Sequence, residues 1–271
     1  MPFANINGHS LHYTDIAPLS SSSTTSTPHV LIFIHGLGST QNYYFPIFPH
    51  LTAYRCIVFD NYGAGRSPYT ASTRKETSIS LIANDVLGLL DHLGVQRAVA
   101  VGYSMGGMVP TYLASTAPDR IVGAVCIGPV HPSEAVANVF KQRVPVVQKD
   151  GIEAMANSIP HGATGPKATA TQKGFIREML LAQDPDGYIA NCRAIEHATP
   201  PAYADVKCPV LIVAGDHDKS APLAGCEYIL GELGTPDERK RLEVLTGIGH
   251  WHCVEAPDEV GTLVSRFVED L

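Results

Sequence analysis

A serine set between two glycines carries the clearest chemical signal in this sequence. It lies in the pentapeptide G-Y-S-M-G at 102–106, between an apolar run at 98–102 that predicts a buried strand and a stretch at 108–115 with helical spacing. Glycines at these places allow a tight turn from strand to helix, which would hold the Ser104 hydroxyl over the end of a sheet at the start of a helix. Ser104 is therefore a candidate nucleophile, and the alternative is a plain glycine-rich turn.

A serine hydroxyl attacks a carbonyl at neutral pH only when a base takes its proton and a third group holds that base in the correct tautomer. For a nucleophile on a strand-turn-helix, the expected chain order is serine, then a carboxylate, then a histidine. Asp218 follows an apolar run at 210–214, and His250 follows a second run at 242–245. Because sites of open α/β sheets lie at the carboxyl ends of the strands, we expect Ser104, Asp218 and His250 to meet there.

Three other side chains compete for the roles of acid and base. Asp216 lies closer to its strand than Asp218 does, although it could instead hold the loop in place. His252 is two residues beyond His250 and would point away from the site if the segment is extended. Glu134 is the first carboxylate after the strand that follows the nucleophile helix, which is a distant place for the acid. We therefore favour Asp218 and His250.

Backbone N–H groups must receive the charge that forms on the carbonyl oxygen, and each such donor contributes about 3 to 4 kcal/mol. Met105 follows the serine and is expected to supply one donor. Leu37, in an H-G-L-G motif that follows another apolar run, is expected to supply the second. The other candidate substrate contacts from these motifs are His35, Tyr103 and Trp251, of which His35 is better suited to a structural hydrogen bond.

The elements that must position these residues alternate between two periodicities. Apolar runs of strand length alternate with helical stretches, which predicts βαβ units and a mostly parallel sheet of the α/β class. The predicted strands are 4–13, 30–34, 56–59, 98–102, 121–127, 210–214 and 242–245, and the predicted helices of the sheet layers are 80–93, 108–115 and 258–271.

One long stretch interrupts this alternation. Residues 129–205 contain no convincing buried strand but have helical windows at 173–183 and 187–197. We interpret 129–205 as a helical cap inserted into a core made of 1–128 and 206–271. The polar stretch at 18–28 predicts a flexible loop between two strands.

Five motifs in order resemble the α/β-hydrolase superfamily along nearly the whole chain: H-G-L-G, D-N-Y-G-A-G-R-S, G-Y-S-M-G-G, G-D-H-D and G-H-W-H-C-V-E-A-P. The resemblance implies a serine hydrolase with a central sheet, flanking helices and a helical cap, and it requires no metal or cofactor. Members that use aspartate as the nucleophile, such as epoxide hydrolases and haloalkane dehalogenases, are disfavoured because Ser104 stands at that position.

A narrower resemblance lies in D-P-D-G-Y-I-A-N-C-R-A-I at 184–195, which is similar to the 3-oxoadipate enol-lactonase group. It implies a lactone or carboxylic ester as substrate, with a general carboxylesterase or an N-acyl homoserine lactonase as alternatives. A ligand receptor on the same fold is the non-enzymatic alternative. The predicted cap departs from that group in having no tryptophan. Of its cations, Arg193 in the shared segment is the first candidate to bind a substrate carboxylate, ahead of Lys141, Arg143, Lys149, Lys173 and Arg177.

The composition of the chain argues against two classes of binding partner, nucleic acids and membranes. The 271 residues include 19 Lys and Arg against 26 Asp and Glu, a net charge of −7, which disfavours binding to nucleic acid or anionic membrane by bulk charge. Apolar runs are far shorter than a membrane helix requires, and the first residues do not resemble a secretory signal, so we expect a cytoplasmic protein. The six cysteines show no metal-binding spacing. The expected partner is a small-molecule ester or lactone, and the sequence indicates no oligomeric state.

Overall fold

The computed structural model describes residues 2–19, 29–72 and 76–271. Within these ranges it contains the strands β1 (Phe3–Ile6), β2 (His9–Ile16), β3 (Val30–Ile34), β4 (Arg55–Phe59), β5 (Ala98–Tyr103), β6 (Ile121–Ile127), β7 (Val210–Gly215) and β8 (Lys240–Leu245). These strands form one sheet in the order β1-β2-β4-β3-β5-β6-β7-β8.

The sheet is mostly parallel. Every neighbouring pair from β4 to β8 in that order is parallel, whereas β2 pairs antiparallel with β1 and with β4. All residues of β5, in the middle of the sheet, are buried, as expected for a strand covered on both faces. The predicted α/β class with a mostly parallel sheet is confirmed. Because β5, β7 and β8 are parallel, their carboxyl ends lie along the same end of the sheet. The segments that follow these three strands are therefore close together.

The N-terminal strand differs from the prediction. The expected single strand at 4–13 is a hairpin of β1 and β2, because Asn7 and Gly8 adopt positive φ angles of 51° and 85°. An Asn-Gly pair with this backbone makes a tight turn that matches the twist of antiparallel strands. Of the stretch predicted as a loop at 18–28, residues 20–28 lie outside the described ranges.

The described helices are α1 (Ile79–His92), α2 (Val109–Thr116), α3 (Glu134–Gly162), α4 (Ala170–Leu181), α5 (Pro185–Glu196), α6 (Leu223–Glu232), α7 (His252–Glu255) and α8 (Pro257–Glu269). A 3₁₀ segment, Gln41–His50, joins β3 to β4. Helix α1 begins after Ser78, whose hydroxyl accepts a hydrogen bond from Leu81 N, and ends just before Gly94 with φ 66°. Both ends therefore have the residue types that helix termini favour.

Three helices, α3, α4 and α5, occupy the chain between β6 and β7. Helix α3 bends at Gly151, where φ is 72° and ψ is −178°, and it packs against both α4 and α5. The α3–α4 connection runs back to the sheet edge, because Gly165 lies against Gly247 and Gly249. We call α3, α4 and α5 the inserted helices.

No helix in the described ranges is both long and apolar enough to cross a membrane.

Candidate active site

Ser104 stands on a sharp turn between β5 and the helix that follows. Its φ angle is 56°, one of two positive values among non-glycine residues in the described part of the chain. A Cβ at Gly102 would overlap the carbonyl oxygen of Gly106, and a Cβ at Gly106 would overlap that of Ile34. The Ser104 N–H donates to Ile127 O on β6 at 2.9 Å. The flanking glycines are therefore required by close backbone contacts as well as by the turn.

The three residues predicted to form the reactive group are joined by hydrogen bonds. Ser104 Oγ lies 2.8 Å from His250 Nε2, and His250 Nδ1 lies 2.7 Å from Asp218 Oδ2. The other carboxylate oxygen of Asp218 accepts from Ser220 N at 2.8 Å and Ala221 N at 2.9 Å. Burial opposes ionisation of Asp218, but His250 and the Ala221 amide are among the groups that outweigh it, so the pKa of Asp218 is lowered. This arrangement keeps a charged acceptor against His250 Nδ1.

The two competing carboxylates have other positions. Asp216 Oδ1 accepts a hydrogen bond of 2.6 Å from Gly247 N, which ties the loop after β7 to the turn after β8. Glu134 is exposed in the first turn of α3. Neither makes a hydrogen bond to His250 in the described ranges, so the geometry supports Asp218 as the partner of the histidine.

His252 lies beside the acid instead of pointing away. The chain is not extended here, because helix α7 begins at His252 and turns its side chain inward. His252 is fully buried, its Nδ1 donates to His250 O at 2.8 Å, and its Nε2 lies 3.9 Å from Asp218 Oδ2. Burial lowers the pKa of His252 to about 4, so the ring is neutral at pH 7. The His-Trp-His pattern was the only sequence signal for this neighbour.

The predicted oxyanion donors flank the serine. A Cβ on Gly36 would lie 2.7 Å from Ser104 Cβ, so the loop that carries Leu37 passes directly over the nucleophile. Neither Leu37 N nor Met105 N donates a hydrogen bond within residues 2–19, 29–72 and 76–271. Both amides are therefore free to receive a developing oxyanion.

His35 holds this loop in place through two hydrogen bonds to the backbone. Its Nδ1 donates to Gly36 O at 2.8 Å, and its Nε2 accepts from Asn61 N at 2.9 Å. Burial lowers the pKa of His35, which favours the neutral ring that this bonding pattern requires. With both nitrogens bonded to the backbone, His35 has neither left for a substrate.

Tyr103 and Trp251 pack in the core behind the histidine. The Tyr103 ring stacks on Tyr43 with centroids 3.9 Å apart and an interplanar angle of 13°, and it lies 5.1 Å from the His250 ring. Trp251 packs against both tyrosines. Because Tyr103 and Trp251 are buried, their visible role is to support His250.

Arg193 is exposed on α5 and lines a cavity of about 240 Å³ whose other lining residues are Glu76, Thr77, Ala190 and His197. None of these is a predicted catalytic residue, so the structure does not bring Arg193 to Ser104.

Another cation of the inserted helices lies closer to the oxyanion loop. Arg143 on α3 is half-buried, donates to Tyr188 Oη at 3.3 Å and lies 4.8 Å from the centre of the Phe140 ring. Tyr188 packs on the loop next to Leu37, since a Cβ on Gly38 would lie 3.2 Å from its ring. In the described ranges no carboxylate forms a salt bridge with Arg143.

Nowhere in the described chain do three or more His, Cys, Asp or Glu side chains come together in a way that could hold a metal ion.

A family model described as alpha/beta hydrolase fold matches residues 29–162. This match agrees with the sheet order and with the position of Ser104 after the central strand. The chain has the α/β-hydrolase fold. This α/β-hydrolase-fold protein is 27% identical over 236 residues to 3-oxoadipate enol-lactonase 2 of Acinetobacter baylyi, a match that covers 84% of each chain.

Two further proteins are similar to this α/β-hydrolase-fold protein. It is 26% identical over 254 residues to "Putative carbamate hydrolase RutD" of Caulobacter sp. (strain K31), covering 90% of this chain and 91% of that one. The crystal structure of the enol-lactonase from Burkholderia xenovorans LB400 superposes with a TM-score of 0.88 at 24% identity, covering 99% of this chain and 100% of that one. The expected resemblance to the superfamily and to the enol-lactonases is confirmed.

Proposed function

We propose that this protein hydrolyses a small lactone or carboxylic ester through an acyl-enzyme on Ser104. The observation that carries the proposal is the hydrogen-bonded chain from Ser104 Oγ through His250 to Asp218, with distances of 2.8 and 2.7 Å. Nothing in this chemistry requires a metal or an organic cofactor, because the protein's own groups supply nucleophile, base and oxyanion donors.

In the proposed reaction His250 Nε2 takes the hydroxyl proton as Ser104 Oγ attacks the carbonyl carbon. The oxyanion lies against the amides of Leu37 and Met105, and Asp218 stabilises the imidazolium of His250. The carbon–oxygen bond then breaks, and the leaving oxygen takes the proton from His250. Water then enters, gives a proton to His250 and attacks the acyl carbon. The bond from that carbon to Ser104 Oγ breaks, the acid leaves, and His250 returns the proton to Ser104 Oγ.

We also propose that the inserted helices act as a cap, with 129–205 as the cap and 1–128 with 206–271 as the core. Two observations support this. The side chains of Leu180 and Tyr188 lie against Gly38 in the oxyanion loop, and Ser104 and His250 are only 6% and 7% exposed. A cap of this kind limits the size of the substrate and the access of bulk water, while single water molecules still reach the acyl-enzyme.

The decisive variant for the mechanism is Ser104→Ala. We expect it to lose turnover of a p-nitrophenyl ester by about six orders of magnitude, since removing the nucleophile of a triad has that effect. Circular dichroism and thermal unfolding would show that the fold is retained. Activity that persists in the folded variant would overturn the proposed mechanism.

The substrate class can be tested with a panel of an enol-lactone, γ- and δ-lactones, N-acyl homoserine lactones, linear esters and an uncharged carbamate ester. The enol-lactone arm follows from the resemblance and from the name of the Acinetobacter relative, and the carbamate arm follows from the name of the Caulobacter relative. We expect the highest kcat/KM on a lactone. If linear esters turn over while every lactone is inert, the protein is a carboxylesterase.

The same panel can test whether the protein binds a substrate whose acyl group carries a charge. If the substrate carries a carboxylate, we propose that Arg143 binds it, because Arg143 is half-buried beside Tyr188 and has no acidic partner in the described ranges. Arg193 was the first candidate from the sequence, and its exposure makes it the comparison variant. Arg143→Met should raise KM for an anionic lactone only, and Arg193→Met should leave KM unchanged.

A ligand receptor on the same fold is the alternative from another class. A fluorophosphonate probe with single- and multiple-turnover rates separates the two. An enzyme labels rapidly at Ser104 and turns over many times, whereas a receptor labels slowly or stops after one turnover.

A further inference from the structure

The carboxylate of Glu255, at the end of α7, accepts hydrogen bonds from three backbone amides. One oxygen, Oε2, accepts from Gly165 N at 2.7 Å and from Gly249 N at 3.0 Å. The other, Oε1, accepts from Trp251 N at 2.9 Å. Two of these three amides belong to the residues on either side of His250, and the third belongs to the connection between α3 and α4. One side chain therefore joins the histidine loop to the inserted helices.

The two segments that Glu255 joins lie in direct backbone contact. The His250 N–H donates to Ala163 O at 2.7 Å. A Cβ on Gly165 would overlap the carbonyl oxygen of Gly247, and a Cβ on Gly249 would overlap the Gly165 amide nitrogen. Only glycine fits on both sides of this contact. We call the paired segments 163–165 and 247–249 the glycine seam.

Placement of a catalytic base is demanding. Catalytic groups must be held within roughly 0.5 Å and 10–20° of their working geometry, and the support for that comes from groups that do not react. His250 sits on a loop after β8, an edge strand whose residues are largely half-buried. The main chain around His250 is fixed by the glycine seam and by Glu255. The bonds to Glu255 contribute strongly, because hydrogen bonds to a charged acceptor are stronger than those between neutral groups.

We propose that Glu255 is a positioning residue that sets His250 against Ser104 and couples this placement to the inserted helices. Its carboxylate acts through the amides of Gly249 and Trp251, and its bond to Gly165 makes the placement depend on the α3–α4 connection. This proposal rests on the proposed function, since it assigns Glu255 a part in the reactivity of Ser104 and His250.

The test compares Glu255→Gln and Glu255→Ala with the wild type. Glutamine keeps the shape of the side chain but replaces one acceptor oxygen by an NH₂ group that faces backbone donors. We expect kcat for a p-nitrophenyl ester to fall about 10-fold in Glu255→Gln and about 100-fold in Glu255→Ala, with KM changed less than 3-fold. Hydrogen exchange should become faster at the amides of Gly165, Gly249 and Trp251 together.

Two variants serve as controls. Glu259→Gln changes an exposed glutamate four residues later in the chain, on α8. Lys167→Met removes a different bond between the α3–α4 connection and the histidine loop, in which Lys167 Nζ donates to Thr246 O at 3.0 Å, away from the residues that flank His250. Both should keep kcat within about 2-fold of the wild type.

A purely structural role would lower thermal stability without changing kcat of the folded fraction. Rates are therefore measured well below the unfolding transition and divided by the concentration of folded protein. Wild-type kcat in folded Glu255→Gln would overturn the proposal, and if Glu255→Ala does not fold, the glutamine variant decides. Activity that survives in Ser104→Ala would instead remove the proposed function, so the two failures are distinguishable.

Discussion

Two aspartates on one loop take different partners, although only one residue separates them. Asp218 accepts from His250 Nδ1 and from two amides of its own loop, whereas Asp216 accepts from Gly247 N. Position in the sequence is nearly the same for both. The hydrogen-bond partner therefore distinguishes a candidate catalytic acid from a loop-stabilising residue.

We predict opposite outcomes for the two amide variants. Asp218→Asn should lower kcat by about four orders of magnitude, because an amide in this place stabilises the wrong tautomer of His250. Asp216→Asn should keep kcat within a few-fold and lower the unfolding free energy by about 1 kcal/mol. Ester hydrolysis and urea denaturation measure the two effects. A large loss of kcat in Asp216→Asn alone would exchange the assignments.

His252 supplies a prediction about pH and stability. In the folded protein burial lowers its pKa to about 4, whereas the unfolded chain protonates it near its ordinary value of 6.5. Below pH 6.5 the unfolded state therefore binds a proton that the folded state does not, and stability falls until the pH reaches about 4. We expect His252 to account for about 3 kcal/mol of this loss.

The measurement is the unfolding free energy of the wild type and His252→Asn at several pH values between 7 and 4. Asparagine can still donate to His250 O but does not titrate, so its profile should be flatter. Parallel profiles for the wild type and His252→Asn would contradict the assignment.

At the scale of elements, the bend in α3 decides how the inserted helices run. Gly151 has a positive φ, and a Cβ there would meet no atom within 4 Å. Its need for glycine is therefore conformational and not steric. The bend separates the part of α3 that carries Arg143 from the part that leads into the glycine seam.

Gly151→Ala should lower the unfolding free energy by about 1 to 2 kcal/mol, because alanine is strained at this backbone conformation. Gly174→Ala is the matched control, since Gly174 lies inside α4 and also has no neighbour to clash with. Alanine there should raise stability by about 0.5 to 1 kcal/mol through helix propensity. Equal effects in chemical denaturation would mean that α3 straightens without cost.

At the scale of the whole molecule, the candidate site is nearly closed. Ser104 and His250 expose 6% and 7% of their surface, and the inserted helices lie over the oxyanion loop. Under the proposed function, a substrate therefore has to reach Ser104 beneath the inserted helices, and a large one requires these helices to move.

We predict a strong preference for short acyl chains. From the butyryl to the decanoyl p-nitrophenyl ester, kcat/KM should fall by at least about 100-fold, because each added methylene has to be placed in a closed site. Steady-state rates below the concentration at which the esters aggregate would measure this. Equal rates on the two esters would contradict the interpretation of the inserted helices as a cap that limits size.

The local parts of this protein were predictable from its sequence. Strands such as β3, β5 and β7 are continuous apolar runs, and the helix after Ser104 follows from local spacing, because periodicity reports burial on one or two faces. The motifs around Ser104, Asp218 and His250 also predicted that these residues would meet at one edge of the sheet. The N-terminal hairpin was missed because a two-residue turn interrupts a weak alternation.

The sequence by itself determined the fold class and the candidate reactive groups, because both are written in short segments whose residue types have few alternative structures. Only the tertiary structure decided the rest. In the folded chain His252 lies beside Asp218, and the amides of Gly249 and Trp251 donate to Glu255. Arg193 lies on the surface. These contacts depend on the backbone conformation of loops and turns. The spacing of residue types in the sequence does not specify that conformation, so the contacts are seen only in the folded chain.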